Sequence, residues 1–197
     1  MPRGPGRRPP ASSSPAESDN GFSLLELMLT IGIIGVVSAI AVVQFSTAQQ
    51  SIKGDGVMRV VLAQMNTARE LAISQRRNMQ LSFLTPNALQ IVRQNVPSGT
   101  TVVGSVVFES GAQYYLAPGL PDTPDGFGRT QAVDFGAATA VMFSSDGTCI
   151  DQTGNPVNGT IFVGLPGQLL SSRAITILGG TGRVRGYRWN GLRWVAV

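Results

Sequence analysis

The chain of 197 residues contains no histidine and a single cysteine, Cys149. Without histidine there is no Ser-His-Asp triad, no imidazole base and no ordinary zinc site. With one cysteine no intrachain disulfide can form, and neither an oxidising nor a reducing compartment is implied. Charged residues make up only 13% of the chain, and all 15 basic residues except Lys53 are arginine. G-x-S-x-G, C-x-x-C and a phosphate-binding glycine loop ahead of a helix are also missing. The 11 acids are scattered, with no pair singled out by spacing. These absences point away from an enzyme, a metal site or a cofactor and leave a structural or binding role.

What is present is unevenly distributed. Residues 1–20 are rich in Pro, Ser, Gly and Arg and hold almost nothing apolar to bury, which marks residues 1–21 as a leader and not a packed element. Removing them, with Arg3, Arg7, Arg8, Glu17 and Asp19, lowers the formal charge of +4 by one. So mild a balance means that attraction to a polyanion has to come from local clustering.

From Leu27 to Ile52 no residue is charged, and the densest stretch reads LMLTIGIIGVVSAIAVVQF. At about 1.5 Å per residue, a helix over 27–45 spans the roughly 30 Å hydrocarbon core of a bilayer. Arginines ahead of the segment and the scarcity of positive charge just after it predict a cytoplasmic N-terminus, with the rest of the chain beyond the membrane. A plain single-span anchor fits these facts, and so does a cleavable signal ending at Ala39-Ile40-Ala41. Glu26 counts against both. A carboxylate in the first turn of an apolar span costs on the order of 2.5 kcal/mol or more if it enters the bilayer core unpaired, so it calls for a partner.

The run Gly21-Phe22-Ser23-Leu24-Leu25-Glu26-Leu27, with Gly35 following, resembles the prepilin signature of type IV pilins and type II secretion pseudopilins. The resemblance implies that a prepilin peptidase cuts between Gly21 and Phe22 and that the new N-terminal Phe22 is N-methylated. It implies further that Glu26 pairs with the N-terminal amine of a neighbouring subunit, or with its own, in the filament core. Such a pair is physically sensible, because a lone carboxylate and a lone ammonium are each costly in low dielectric and compensate one another on meeting. Two features depart from the family pattern. Glu17, Asp19 and Asn20 stand where basic residues are usual, and Ala41-Val42-Val43 stands where a proline often unwinds the helix. Gly54-Asp55-Gly56 is then the alternative flexible point.

After Gly56, Val57, Val61, Met65, Ala68 and Ala72 recur at three- and four-residue steps, while Arg59, Asn66, Glu70 and Arg77 lie elsewhere. That spacing predicts an amphipathic helix with one face toward a core. Beyond Asn78 the pattern becomes alternating. Strands are predicted at 81–84 and 88–92, joined by a tight turn at Thr85-Pro86-Asn87, and at 101–108, 140–144, 160–163, 173–178 and 183–189. Pro118 to Gly128 reads as a surface loop and Asp146-Gly147 as a hairpin turn. The expected fold class is α+β, a type IV pilin-like long N-terminal helix packed on a C-terminal antiparallel β-sheet head. Its divisions are a leader at 1–21, a transmembrane and filament-core helix at 22–52, and an amphipathic helix with a β-rich periplasmic head at 53–197.

Phe143-Ser144-Ser145-Asp146-Gly147-Thr148 and Gly182-Arg183-Val184-Arg185 make the head resemble the FimT/GspH family of minor pilins and pseudopilins. This resemblance implies a low-abundance subunit of a type IV pilus or a type II secretion pseudopilus. It would be held first in the inner membrane, and its partners would be prepilin peptidase and other pilin or pseudopilin subunits.

From Arg173 onward the chain has Arg173, Arg183, Arg185, Arg188 and Arg193 and no acid, interleaved with Tyr187, Trp189 and Trp194. On an extended strand Arg183, Arg185, Tyr187 and Trp189 share a face, which could grip phosphates and stack bases. Some competence-type members of the family bind DNA through a Gly-Arg-x-Arg segment, and Gly182 to Arg185 matches it. The candidate DNA contacts are Arg183, Arg185, Arg188 and Arg193. The plainer reading has these arginines on the solvent face of a final strand or hairpin, deterring edge-to-edge pairing, with both tryptophans partly buried.

Overall fold

The computed structural model describes residues 22–197; the leader expected at 1–21, including Gly21 of the cleavage pair, lies outside the described residues. A single helix, α1 (Leu24–Gln75), precedes eleven strands. The described residues fall into two compact units, one reaching Val42 and the other spanning Val43–Val197.

In the first unit α1 carries leucines, isoleucines and valines all around its surface, with Leu25, Met28, Ile31 and Ile34 all more than 60% exposed. A helix apolar on every side suits a lipid or helix-bundle environment. By length and composition it can cross a membrane.

The second unit begins on the rear of the same helix. Val57, Val61, Met65, Ala68 and Ala72 are all buried, so the predicted stripe is the face that enters the core. Met58 joins it. Arg59, Asn66 and Glu70 are exposed, whereas Arg77 falls just past the end of α1.

Two antiparallel sheets complete the head. The first contains β1 (Met79–Leu84), β2 (Ala88–Gln94), β3 (Thr100–Val107), β6 (Val141–Phe143) and β7 (Cys149–Asp151), in the order β3-β2-β1-β6-β7. The second contains β4 (Gln113–Tyr114), β5 (Val133–Asp134), β8 (Gly159–Gly164), β9 (Arg173–Leu178), β10 (Arg183–Trp189) and β11 (Trp194–Ala196). Its order is β11-β10-β9-β8-β4, and β5 also pairs with β8. All seven predicted strands form, with ends shifted by at most two residues. The strands not predicted, β4, β5, β7 and β11, have only two or three residues each.

Alternation in β1 and β2 turns Leu81, Leu89 and Ile91 toward the core. Strands β8 and β9 are buried on both faces. Ile161, Val163, Ile175 and Ile177 join the cluster built on α1. On the opposite face Phe162 and Ala174 join a second cluster with Ala117, Leu120, Tyr187, Trp189 and Trp194. The stretch from Pro118 to Gly128 is indeed a loop, but it is not merely superficial, since Leu120 is buried in that second cluster and Thr123 is buried as well.

The helix is locked to the second sheet by Arg173, whose side chain is fully buried. Its Nε donates to Asp55 Oδ1 at 2.7 Å, Nη1 to the carbonyls of Leu170 and Ser172 at 2.9 Å each, and Nη2 to the carbonyl and hydroxyl of Ser51 at 2.7 and 2.9 Å. All five guanidinium N–H groups are thereby used, which is what makes burial of the charge tolerable. Burial draws the Arg173 pKa below its ordinary value, and Asp55 pulls against that. The expectation that Gly54-Asp55-Gly56 is a flexible point is therefore corrected: α1 runs through it unbroken. Gly54 is there because a Cβ would overlap the Ser171 carbonyl, and Asp55 because it answers Arg173 and, at 3.5 Å, Arg188.

Replacing Asp55 by alanine leaves a buried cation short of its counter-charge and is expected to cost about 3 kcal/mol of head stability. Arg188→Ala, which removes a half-exposed partner of the same carboxylate, should cost less than about 1 kcal/mol. Denaturant unfolding followed by tryptophan fluorescence checks both values, and equal losses in the two variants would contradict this assignment.

Candidate functional site

Glu26 lies in the first turn of α1, the one acidic residue there. The hydroxyl of Thr30 donates back to the Glu26 and Leu27 carbonyls at 2.9 Å each. This keeps a polar side chain satisfied by its own helix while the Glu26 side chain stays exposed. Phe22 precedes the helix and is 81% exposed. Next to Glu26, every side chain from Leu27 to Leu29 is apolar, and no other residue from 22 to 52 is charged, so the carboxylate is a single charged point on a largely apolar rod.

In the head, the two short motifs of the sequence come together. Ser144 and Thr148 close the β6–β7 turn around the Asp146 carboxylate, which accepts from the Ser144 hydroxyl and from the Thr148 amide and hydroxyl at 3.0 and 2.7 Å. These bonds, led by the one from Ser144, hold the Asp146 pKa down at about 2. The Gly147 carbonyl in the same turn accepts from Arg69 Nε at 3.0 Å, and Arg69 Nη2 reaches the Thr181 carbonyl at 3.2 Å. Gly182 sits against that turn with φ +60°, and any Cβ there would overlap the Gly147 carbonyl. The glycine of Gly182-Arg183-Val184-Arg185 is thus a packing requirement that lets β10 start beside the turn, and the arginines carry whatever chemistry the motif has.

Strand alternation divides those arginines. Arg183 and Arg185 are exposed on the outer face of the second sheet, the face that carries Tyr187 and Trp189. Arg188 points to the other side, toward Asp55. Arg193 is in the β10–β11 turn, where its amide is held by the Asn190 side chain at 2.8 Å. Of the four candidate arginines the fold brings together Arg183 and Arg185 and separates Arg188 and Arg193 from them.

The aromatic residues expected to stack bases are elsewhere engaged, which corrects that part of the sequence reading. Tyr187, Trp189 and Trp194 are at most 7% exposed. Trp194 Nε1 donates to the Pro121 carbonyl at 2.9 Å, and the two indoles meet edge to face with centroids 5.3 Å apart. Burying such a ring is worth about 2–3 kcal/mol, and stacking on a base about 1–3 kcal/mol, so turning it outward gains nothing.

One residue was not anticipated from the sequence. Asp125, in the Pro118–Gly128 loop, accepts from the Thr176 hydroxyl at 2.6 Å, the Tyr187 hydroxyl at 2.9 Å and Arg185 Nη1 at 2.9 Å. Burial pushes its pKa up, but the bonds from Thr176, Tyr187 and Arg185 outweigh that and hold the carboxyl below its ordinary value. Asp125, Phe127, Thr176, Leu178, Arg183 and Arg185 line a cavity of about 120 Å³. Nothing in the sequence spacing of a loop aspartate and a strand sixty residues later signals this meeting. Among the described residues no group of three His, Cys, Asp or Glu side chains could hold a metal ion.

Two outcomes are expected from this geometry. Gly182→Ala should lower the thermal midpoint of the head measurably, because it combines an unfavourable φ with a backbone overlap. Because Asp146 has a depressed pKa, its stabilisation of the β6–β7 turn is complete above the ordinary aspartate range and is lost as pH falls through about 2. The Thr148 amide shift, followed by NMR against pH, should report a titration near that value, and a midpoint near 4 would contradict it.

Residues 18–42 match the family model described as the prokaryotic N-terminal methylation motif. No curated protein sequence matches the chain significantly. The solved structures that resemble it at low identity include two minor subunits. The type IV minor pilin FimU of Pseudomonas aeruginosa is 15% identical with a TM-score of 0.47, covering 75% of this chain and 93% of that one. The minor pseudopilin EpsH from the Type 2 Secretion System of Vibrio cholerae is 12% identical with a TM-score of 0.42, covering 75% of this chain and 96% of that one. The chain thus carries the prokaryotic N-terminal methylation motif at residues 18–42, on and just ahead of a long helix that leads into antiparallel sheets.

Proposed function

We propose that the chain is a minor pilin or pseudopilin subunit of a type IV pilus or a type II secretion pseudopilus. The observation that carries this reading is the match of residues 18–42 to the N-terminal methylation motif, with Glu26 the only acid between Asp19 and Asp55. In this reading residues 1–21 are the leader, and prepilin peptidase cuts between Gly21 and Phe22 on the cytoplasmic side. Phe22 is then N-methylated. Residues 22–52 hold the subunit in the inner membrane with the 53–197 region in the periplasm, and later pack into the filament with other pilin or pseudopilin subunits.

Glu26 gives the transfer its direction. An unpaired carboxylate is costly in an apolar setting, and the positive amine created at Phe22 of an adjacent subunit is its natural complement. Mass spectrometry of the protein recovered from its host should find an N-terminus at methylated Phe22. An uncut chain, or one beginning after Ala41, would reject the reading. Glu26→Val should leave cleavage intact and reduce incorporation into filaments.

A second reading, DNA binding by the head, is favoured by Arg183, which is exposed and has no side-chain partner among the described residues, beside Arg185. It predicts duplex affinity that falls steeply with salt and is lost in Arg183→Ala/Arg185→Ala. Undiminished binding by that double variant would reject it.

A further inference from the structure

On the outer face of the second sheet Thr176 and Tyr187 donate their hydroxyls to Asp125 Oδ2 at 2.6 and 2.9 Å, and Arg185 Nη1 donates to the other oxygen, Oδ1, at 2.9 Å. Hydroxyl and guanidinium donors divided between two oxygens of one anion hold a phosphate as well as a carboxylate. Only the donors belong to the strands. Thr176 is on β9, and Arg185 and Tyr187 are on β10, where Arg185 pairs with Thr176 and Tyr187 with Ala174 across the ladder. The carboxylate comes from a loop, close to Gly126 at φ +68° and Gly128 at φ +108°. Beside it the cavity continues to Arg183, the second cation of the face, and to the half-buried ring of Phe127.

We propose that the outer face of the second sheet is a phosphate-binding seat formed by Thr176, Arg185 and Tyr187, occupied in the resting head by Asp125 as an intramolecular plug. A phosphate entering the seat displaces the carboxylate and gains Arg183 as a second contact, while Phe127 walls the site. Asp125 therefore lowers apparent affinity by the fraction of time it holds the seat. For a phosphate belonging to DNA the proposal rests on the second reading above. A free phosphate would use the same donors.

The test uses the full-length chain in detergent micelles, with a labelled duplex oligonucleotide and inorganic phosphate as separate probes. Asp125→Asn keeps the shape of the plug and removes its charge. Glu70→Gln, at an exposed position on α1, makes the same change of net charge away from the seat. Near-ultraviolet circular dichroism of each variant reports whether the head retains its packing. Asp125→Asn is expected to tighten duplex binding by roughly fivefold or more relative to Glu70→Gln, and adding Arg185→Ala should abolish the gain.

If the duplex binds through Arg183 and Arg185 but Asp125→Asn behaves like Glu70→Gln, the plug is rejected and the DNA reading stands. If no variant binds the duplex while Asp125→Asn takes up inorganic phosphate in an Arg185-dependent way, the seat stands as a small-anion site and the DNA reading fails. Binding of neither probe by Asp125→Asn rejects both. A gain that survives Arg185→Ala overturns the seat, because binding would then not use the guanidinium that forms it.

Discussion

A fully buried guanidinium, that of Arg173, connects the helix to the sheets of the head. Its five donors reach a carboxylate on α1, the backbone and hydroxyl of Ser51 on the same helix, and the carbonyls of Leu170 and Ser172 just before β9. A hydrophobic contact would tolerate a helix that slides or rotates by a fraction of a turn, because apolar burial has no direction. Five simultaneous hydrogen bonds do not. The position of the apolar stripe from Val57 to Ala72 over the sheets is fixed at this point, and Gly54 permits it by leaving room for the Ser171 carbonyl. The same Asp55 that satisfies Arg173 also holds Arg188, which turns that arginine toward the helix and away from the outer face.

That division gives the second sheet two chemically different sides. One is closed by α1 and is apolar apart from the Arg173 cluster. The other is covered by the Pro118–Gly128 loop, with Leu120 packed among the indoles and Asp125 reaching over the strands. Where the covering is apolar the face is sealed, and where it is a single carboxylate the face keeps its polar groups in a state that can exchange partners. Both motifs of the head meet the helix through Arg69, so the turn at Asp146 and the start of β10 are set by one side chain.

Periodicity made most of this architecture legible from sequence. The helix stripe, the seven predicted strands and the turns at Pro86 and Gly147 are local patterns, and alternation, short apolar runs or three-and-four spacing report them directly. The membrane-length helix and Glu26 are equally local. What escaped depends on contacts between distant segments. The glycines at 54 and 182 read as flexibility or as motif letters, yet both are required by carbonyls over a hundred or some thirty-five residues away in the chain. The aromatic residues of the last strands alternate as a binding face would, but a loop too irregular to read as a covering layer claims them. Asp125 belongs to that loop, and no spacing rule ties it to Arg185.

Cys149 is the one sulfhydryl in the chain, entirely enclosed by the core, and burial pushes its thiol pKa up to about 12. At neutral pH almost none of it is thiolate, and reagents have no path to it. The folded head is accordingly silent toward thiol chemistry. A cysteine installed anywhere on its surface would react alone, so spin labels, fluorophores or cross-linkers can be placed one at a time without first altering the native sequence.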